Sequence, residues 1–306
     1  MPDDINVPCP FTPELLPARA LRGLRVGVSV SDSADLARLG LTPTHFKLAV
    51  RDLARTVLVS GGTLAYGGHL LPGGYTEFLI GELCQYARAG LFKGDGAMPA
   101  VPLLVCLSHQ EHRKCSLDEL DRVDDELDLY GKLQCIDLNG QALADRTSGR
   151  AAEGDPYPTD KAVLAQGLTA LRRYMTANTS ARVLLGGKRA GYTGAMPGVM
   201  EEALMALRAG QPLYLAGGLG GITLDMAAAI DPRCEALCPD GWKARLDAAS
   251  TAGLEELAVL VGESRFSPLN NGLGADENLH LATTHRPAEI AALVGFGLGR
   301  WALQRK

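Results

Sequence analysis

VLLGGKRAGYTGAMPGVMEEALMALRAGQPLYLAGGLGG, residues 183–221, decides the fold. An apolar run, Val183 to Leu185, breaks into Gly186 and Gly187, and a cationic, glycine-bearing loop follows. Pro197 then opens a helix, and Pro212 to Ala216 reads as a second strand ending in Gly217 and Gly218. Strand, glycine loop, helix, strand, glycine loop is the order in which an α/β protein cradles a phosphate. Glycines let the backbone approach a ligand and adopt positive φ. Proline suits the first helical position because its missing N–H would have no partner there, and the free N–H groups of the first turn attract anions. Met200, Ala203, Leu204 and Leu207 recur at three- and four-residue spacing, so one face of this helix is buried. Its functional end is therefore the N-terminus, near Met196 to Glu202. Glycines that only make tight turns are the competing reading; two such loops flanking one helix favour ligand binding.

The whole chain bounds the class. It has 306 residues, 46% hydrophobic and 21% charged, with 36 glycines, which is an ordered composition rich in tight loops. A formal charge of −5 argues against a nucleic-acid surface of the usual basic kind. No apolar run reaches the roughly 18 residues that span a bilayer, and MPDDINVPCPFTPELL lacks the basic start and apolar core of a secretory signal. A soluble cytosolic protein without a membrane partner is expected. The seven cysteines, Cys9, Cys84, Cys106, Cys115, Cys135, Cys234 and Cys238, are scattered and odd in number, and read as reduced thiols.

Residues 1–22 carry five prolines and read as an extended leader; residues 23–306 read as one domain with peripheral C-terminal helices. Leu24 to Val30 is a β-branched strand that turns polar in Ser31, Asp32 and Ser33. A helix follows, with Thr44 as its N-cap and Phe46, Leu53 and Val57 on its apolar face. Thr63 to Ala65 reads as a short strand. The loop YGGHLLPGGYTEF then places flexible backbone, the Thr76 hydroxyl and a helix start together, although a plain strand-to-helix turn would use the same residues. Val101 to Leu107 and Leu133 to Leu138 are further strands, separated by an acidic helix with Ser116 as N-cap and Glu119 closing a capping box. His109 and His112 lack a second cluster at metal spacing, and Cys234 and Cys238 lack a matching pair, so no metal is expected. Helices are expected at 159–176, from Gly221, at 254–261 and at 287–303, with RFSPLNNGLGADEN as a loop.

Taken together, VGVSVSDS, LAYGGHLLPGGYTEFL, the 183–221 stretch and LNNGLGADEN resemble the SLOG superfamily, the Rossmann-like group that includes Lonely Guy phosphoribohydrolases and DprA-type proteins. Within it the chain is most similar to the SLOG domains beside TIR or sirtuin-like NADase domains in Thoeris-type antiphage defence effectors. The resemblance covers residues 24–300 and implies a Rossmann-like parallel sheet flanked by helices. It also implies an ADP-ribose- or NAD-derived nucleotide ligand, with no further cofactor.

Carried onto this sequence, the resemblance places Lys188 and Arg189, after Gly187, on phosphate oxygens. Glu202, or Glu201, would accept ribose hydroxyls, a dipolar role being the alternative for Glu201. Tyr66, Tyr75 or Tyr192 would stack on a base, unless they are ordinary packing. The polar end of the first strand, Ser29, Ser31 and Asp32, and the first glycine loop, Gly67, Gly68, Gly74 and Thr76, would supply further walls. So would Gly194, Met196, Pro197 and Gly198, and the last loop, Gly217, Gly218, Gly220 and Gly221. Lonely Guy enzymes carry PGGxGTxxE, whose glutamate assists N-glycosidic cleavage. Here Pro197 to Glu202, PGVMEE, lacks the middle G-T, and Pro72 to Glu77, PGGYTE, lacks the spacing. A non-catalytic sensor is therefore preferred, with Glu202-dependent N-ribosyl hydrolysis or transfer as the alternative. A DprA-like role in single-strand binding fits poorly with an acidic, aromatic-poor chain. With no NADase, TIR or membrane segment attached, a sensor would act with a separate effector, as a homo-oligomer.

Overall fold

The computed structural model describes residues 16–90, 92, 101–262 and 269–305. Most of the expected leader, Cys9, the KGDGAMPA loop and the start of RFSPLNNGLGADEN therefore lie outside the described residues. Six strands form one parallel sheet: β1 (Arg25–Ser31), β2 (Thr63–Gly68), β3 (Leu103–Leu107), β4 (Gly131–Cys135), β5 (Ala181–Gly186) and β6 (Leu213–Ala216), in the order β4-β3-β2-β1-β5-β6. This is the expected Rossmann-like α/β arrangement. Its central strands are mostly buried because helices cover both faces, with Ser29 and Arg182 as buried polar exceptions among the apolar residues.

On one face Val26, Val28, Leu64, Val105 and Val183 pack against α1 (Pro43–Val59), α2 (Tyr75–Arg88), α4 (Leu117–Leu127) and α10 (Pro287–Gln304). On the other, Leu184, Leu213 and Leu215 meet α6 (Gly198–Arg208), α7 (Gly221–Ile230) and α8 (Ala248–Val261). Leu104 and Cys106 lie on the same side beneath Leu171 and Met175 of α5 (Lys161–Ala177). Strands β1 to β4 run outward in one direction, and β5 then returns to the opposite side of β1, pairing with it from Val26↔Ala181 to Ser31↔Gly186. That reversal is a topological switch point, where the loops leaving two neighbouring strands diverge to opposite faces.

Several elements differ from expectation for local reasons. Strand β2 runs on to Gly68 because Tyr66, Gly67 and Gly68 pair with Val105, Cys106 and Leu107. Helix α1 is capped at Thr42 rather than Thr44, with Pro43 in its first turn, and Pro197 is the N-cap of α6 rather than its first helical residue. Helix α8 starts at Ala248, six residues early, because the Asp247 carboxylate accepts from Ser250 N at 2.8 Å. Two α-helices were not anticipated: α3 (His109–Lys114), and α9 (Ala275–Thr283), which begins in the last four residues of the expected loop. The capping box on α4 is as read, with Glu119 N donating to Ser116 Oγ at 3.1 Å and Ser116 N donating to Glu119 Oε2 at 2.8 Å. Cys84, Cys106, Cys115, Cys135, Cys234 and Cys238 are free thiols. Among the described residues no helix is long and apolar enough to cross a membrane.

Helix α3 buries His112 to 1% exposure, its ring edge-on to His109 at 5.5 Å. Burial, then the neighbouring His109 and Arg150, push the His112 pKa down to about 4 from an ordinary 6.5. Below pH 6.5 the unfolded chain takes up a proton that the folded protein refuses until about pH 4, so this contribution to stability is complete above 6.5 and is lost on acidification. The urea midpoint is expected to fall more steeply between pH 6.5 and 4 in the wild type than in His112→Gln. Equal slopes would contradict a neutral buried His112.

Candidate functional site

The crevice begins where β1 and β5 end. Ser29 is buried, Ser31 half-buried and Asp32 exposed at the tip of β1. Beside them Gly186 has φ 68°, and a Cβ there would collide with the Ser31 carbonyl oxygen and sit 2.6 Å from the Phe46 ring. Only glycine lets β5 close on β1 at this level. Gly187, with φ 100°, donates its N–H to the Ser31 carbonyl at 3.0 Å.

Helices α2 and α6 begin at this edge of the sheet without side-chain caps, as does the short α3 after β3. The N-cap of α6 is Pro197, and its first intrahelical bond runs from Glu201 N to Pro197 O at 3.0 Å. Among the described residues, the N–H groups of Gly198, Val199 and Met200 therefore have no hydrogen-bond partner. The N-cap of α2 is Gly74, its first bond runs from Phe78 N to Gly74 O at 3.2 Å, and the N–H groups of Tyr75, Thr76 and Glu77 are likewise unpartnered. Thr76, only 2% exposed, has a hydroxyl without a partner. By contrast α4, α5 and α8 are closed by Ser116, Asp160 and Asp247. Uncapped N–H groups at the positive end of a helix dipole are the arrangement that holds anions.

The cations divide sharply. Lys188 is exposed, with no ion pair among the described residues. Arg189, expected on phosphate, is engaged within the protein: Nε and Nη2 donate to the Asp225 carboxylate at 2.6 and 2.8 Å, and Nη1 lies 2.7 Å from Asp35 Oδ2. Asp35 also accepts from Gly221 N at 2.8 Å. Burial raises the Asp35 pKa, but the Gly221 N–H and the Arg189 guanidinium outweigh it and hold the carboxyl below its ordinary range. Asp225 is held above its ordinary range by burial, which Arg189 only partly offsets. This clasp ties together the loops after β1 and β5 and the start of α7.

The two glutamates also part. Glu201 is 9% exposed and bound to α5, accepting from Thr169 Oγ1 at 2.6 Å and from Arg172. Arg172 lies directly against Gly194 and Gly198, where any side chain would displace it. Glu201 is thus a fastening between helices, and the ribose-binding alternative falls to Glu202. Glu202 is half-buried and has neither hydrogen bond nor ion pair among the described residues. Its charge reaches Tyr66, whose pKa is raised above its ordinary value by burial, then by Tyr75, Glu202 and Asp32. The Tyr66 and Tyr75 rings stand edge to face at 6.4 Å, and burial with Asp32 raises Tyr75 to about 12. Asp32, Tyr66, Tyr75 and Glu202 are therefore gathered around the ends of β1 and β2.

Other expected residues lie elsewhere or do other work. Tyr192 donates its hydroxyl to Asp247 at 2.6 Å, tethering the loop to α8. Met196 packs against the second core. Gly67 and Gly68 lie within β2, the latter clearing space for the Tyr66 ring. Gly217, Gly218, Gly220 and Gly221 are all buried, and side chains at the first two would run into carbonyls of Ala282 and Thr284. Gly220 lies against Asp35 and Gly221 against the Gly187 carbonyl. The last glycine loop is a packing joint, not an open wall, because the close approach of α9 and the β1 loop leaves no room. Asp35, Thr169, Arg172, Arg182 and Asp225 were not anticipated. The visible signals were a lone acid in the apolar run GITLDMAAAI and a lone arginine in ARVLLGG.

An open parallel sheet whose strand order reverses between β1 and β5 is an architecture in which α/β proteins bind ligands beside the reversal. A family model described as SLOG cluster2 matches residues 20–281, and the chain belongs to that family. No curated protein matches it. SLOG membership is compatible with binding or processing of a nucleotide-related ligand.

The clasp and the exposed lysine are separable. Arg189→Met leaves the fully buried Asp225 without its cation and is expected to cost about 3–5 kcal/mol in urea unfolding. Lys188→Met is expected to stay within about 0.5 kcal/mol of the wild type. A mild Arg189→Met would contradict the clasp.

Proposed function

We propose that the chain binds an ADP-ribose- or NAD-derived nucleotide in the switch-point crevice, as a sensing module of the kind found beside NADase domains in Thoeris-type defence. The observation that carries this reading is the pair of uncapped helix N-termini, α2 and α6, opening at one sheet edge with Lys188 and Glu202 both unpaired among the described residues. The diphosphate lies on the amides of Gly198 to Met200, with Lys188 as its counter-charge. Glu202 accepts ribose hydroxyls, and Tyr75, partly exposed beside Tyr66, offers a face to the base. No further cofactor is needed. The signal passes to a separate effector protein, and the module works as a homo-oligomer.

Ligand binding to the folded state alone raises apparent stability, by about 2.7 kcal/mol at a ligand concentration of about 100 times Kd. ADP-ribose and NAD are expected to raise the melting temperature of the wild type saturably, with a right-shifted dose dependence in Lys188→Met. A flat response to every NAD derivative removes the reading.

The second reading is an N-ribosyl hydrolase or transferase, which the unpaired carboxylate of Glu202 favours over Glu201. It requires free base to appear from NAD or a nucleoside monophosphate and to vanish in Glu202→Gln. Chromatography showing no product from either compound excludes it.

A further inference from the structure

Arg182 lies near the start of β5, paired with Gly27 of β1, with 0% of its surface exposed, and its guanidinium reaches up to Ser29. Its guanidinium occupies space that exists because position 27 is glycine: a Cβ there would sit 3.0 Å from Arg182 Cζ. For a buried cation it is poorly held. Nη1 donates to Ser29 Oγ at 3.5 Å and Nη2 to Thr176 Oγ1 at 3.4 Å, both longer than ordinary hydrogen bonds. Nε has no partner, and no carboxylate lies within ion-pair distance among the described residues. The largest opposing charge felt at Arg182 is that of Glu202. A buried charge without a direct partner is destabilising, whereas Arg172 and Arg189 each hold a carboxylate directly. Such charges persist where function needs them.

We infer that Arg182 is the fixed positive charge of the crevice floor, a positioning and specificity residue that favours an anionic ligand without touching it. The inference rests on the nucleotide-binding reading. Ser29 and Ser31 follow one another up the same face of β1, from the guanidinium level to the open edge beside Gly186. Through the low-dielectric interior the charge acts on groups above it with little screening by solvent. It attracts the ligand's phosphates and balances Glu202, which would otherwise repel them.

Urea unfolding and calorimetric titration with ADP-ribose and with pyrophosphate, on the full chain, test this in R182M, R182Q and R182K. The two neutral variants are expected to keep or raise the urea midpoint, because an unpaired buried charge has been removed. Both should lose roughly tenfold or more in affinity for each probe, while R182K, which keeps the charge, stays within about threefold of the wild type. A purely structural arginine would behave oppositely on stability. A lowered midpoint in both neutral variants, or affinities equal to the wild type, overturns the inference. A wild type that binds pyrophosphate but not ADP-ribose, with the same losses in the variants, supports the inference and removes the ADP-ribose reading. A wild type that binds neither removes both.

Discussion

The pairing of β5 with β1 is the constraint on which the rest of the structure depends. It brings the second half of the chain back to the middle of the sheet, six residues in register from Val26↔Ala181 to Ser31↔Gly186. Because α1 covers one face and α6 the other, the two chains leaving this pair must separate, and the separation is the crevice. The close approach is possible only with glycine at 186, where Ser31 and Phe46 exclude a side chain. The Asp35–Arg189–Asp225 clasp then fixes how far the two loops part.

Electrostatics within this frame follow a simple division. Arg189 and Arg172 are neutralised by carboxylates and hold elements together, while Lys188 is left on the surface and Arg182 beneath the floor. The acids divide in the same way: Asp35, Asp225 and Glu201 have cationic partners, whereas Glu202 has none among the described residues. Groups left unpaired around one crevice are available to a ligand, and the uncapped amides of α2 and α6 add to them. The buried Arg182 and the unpaired Glu202 are of opposite sign, and Glu202 is the largest opposing charge felt at Arg182.

Much of the architecture was legible in the sequence because parallel strands and amphipathic helices write their periods plainly. The 183–221 stretch gave strand, helix and strand in order, and Ser116 with Glu119 announced a capped helix that forms as read. Short elements were less visible: α3 is six residues long, too few to show a helical period, and α9 begins behind Gly274 in a stretch rich in loop-forming residues. The site was harder because residue type alone does not reveal a partner. Arg189 carries the charge expected of a phosphate ligand, and its commitment depends on Asp35, more than 150 positions earlier in the chain. Gly217 and Gly218 look like a second phosphate loop, yet the carbonyls of Ala282 and Thr284 that fill their surroundings lie far downstream. The glycine loop and helix start of the 183–221 stretch pointed to this edge of the sheet; packing decided which of its residues remain without partners.

The most direct test of the account is a crystal structure of the protein grown with ADP-ribose. The account predicts the diphosphate at the N-terminus of α6, within hydrogen-bond distance of the amides of Gly198 to Met200, with Lys188 drawn onto it and a ribose beside Glu202. A ligand seated elsewhere would contradict it, as would a crevice in which Glu202 makes no contact with the sugar.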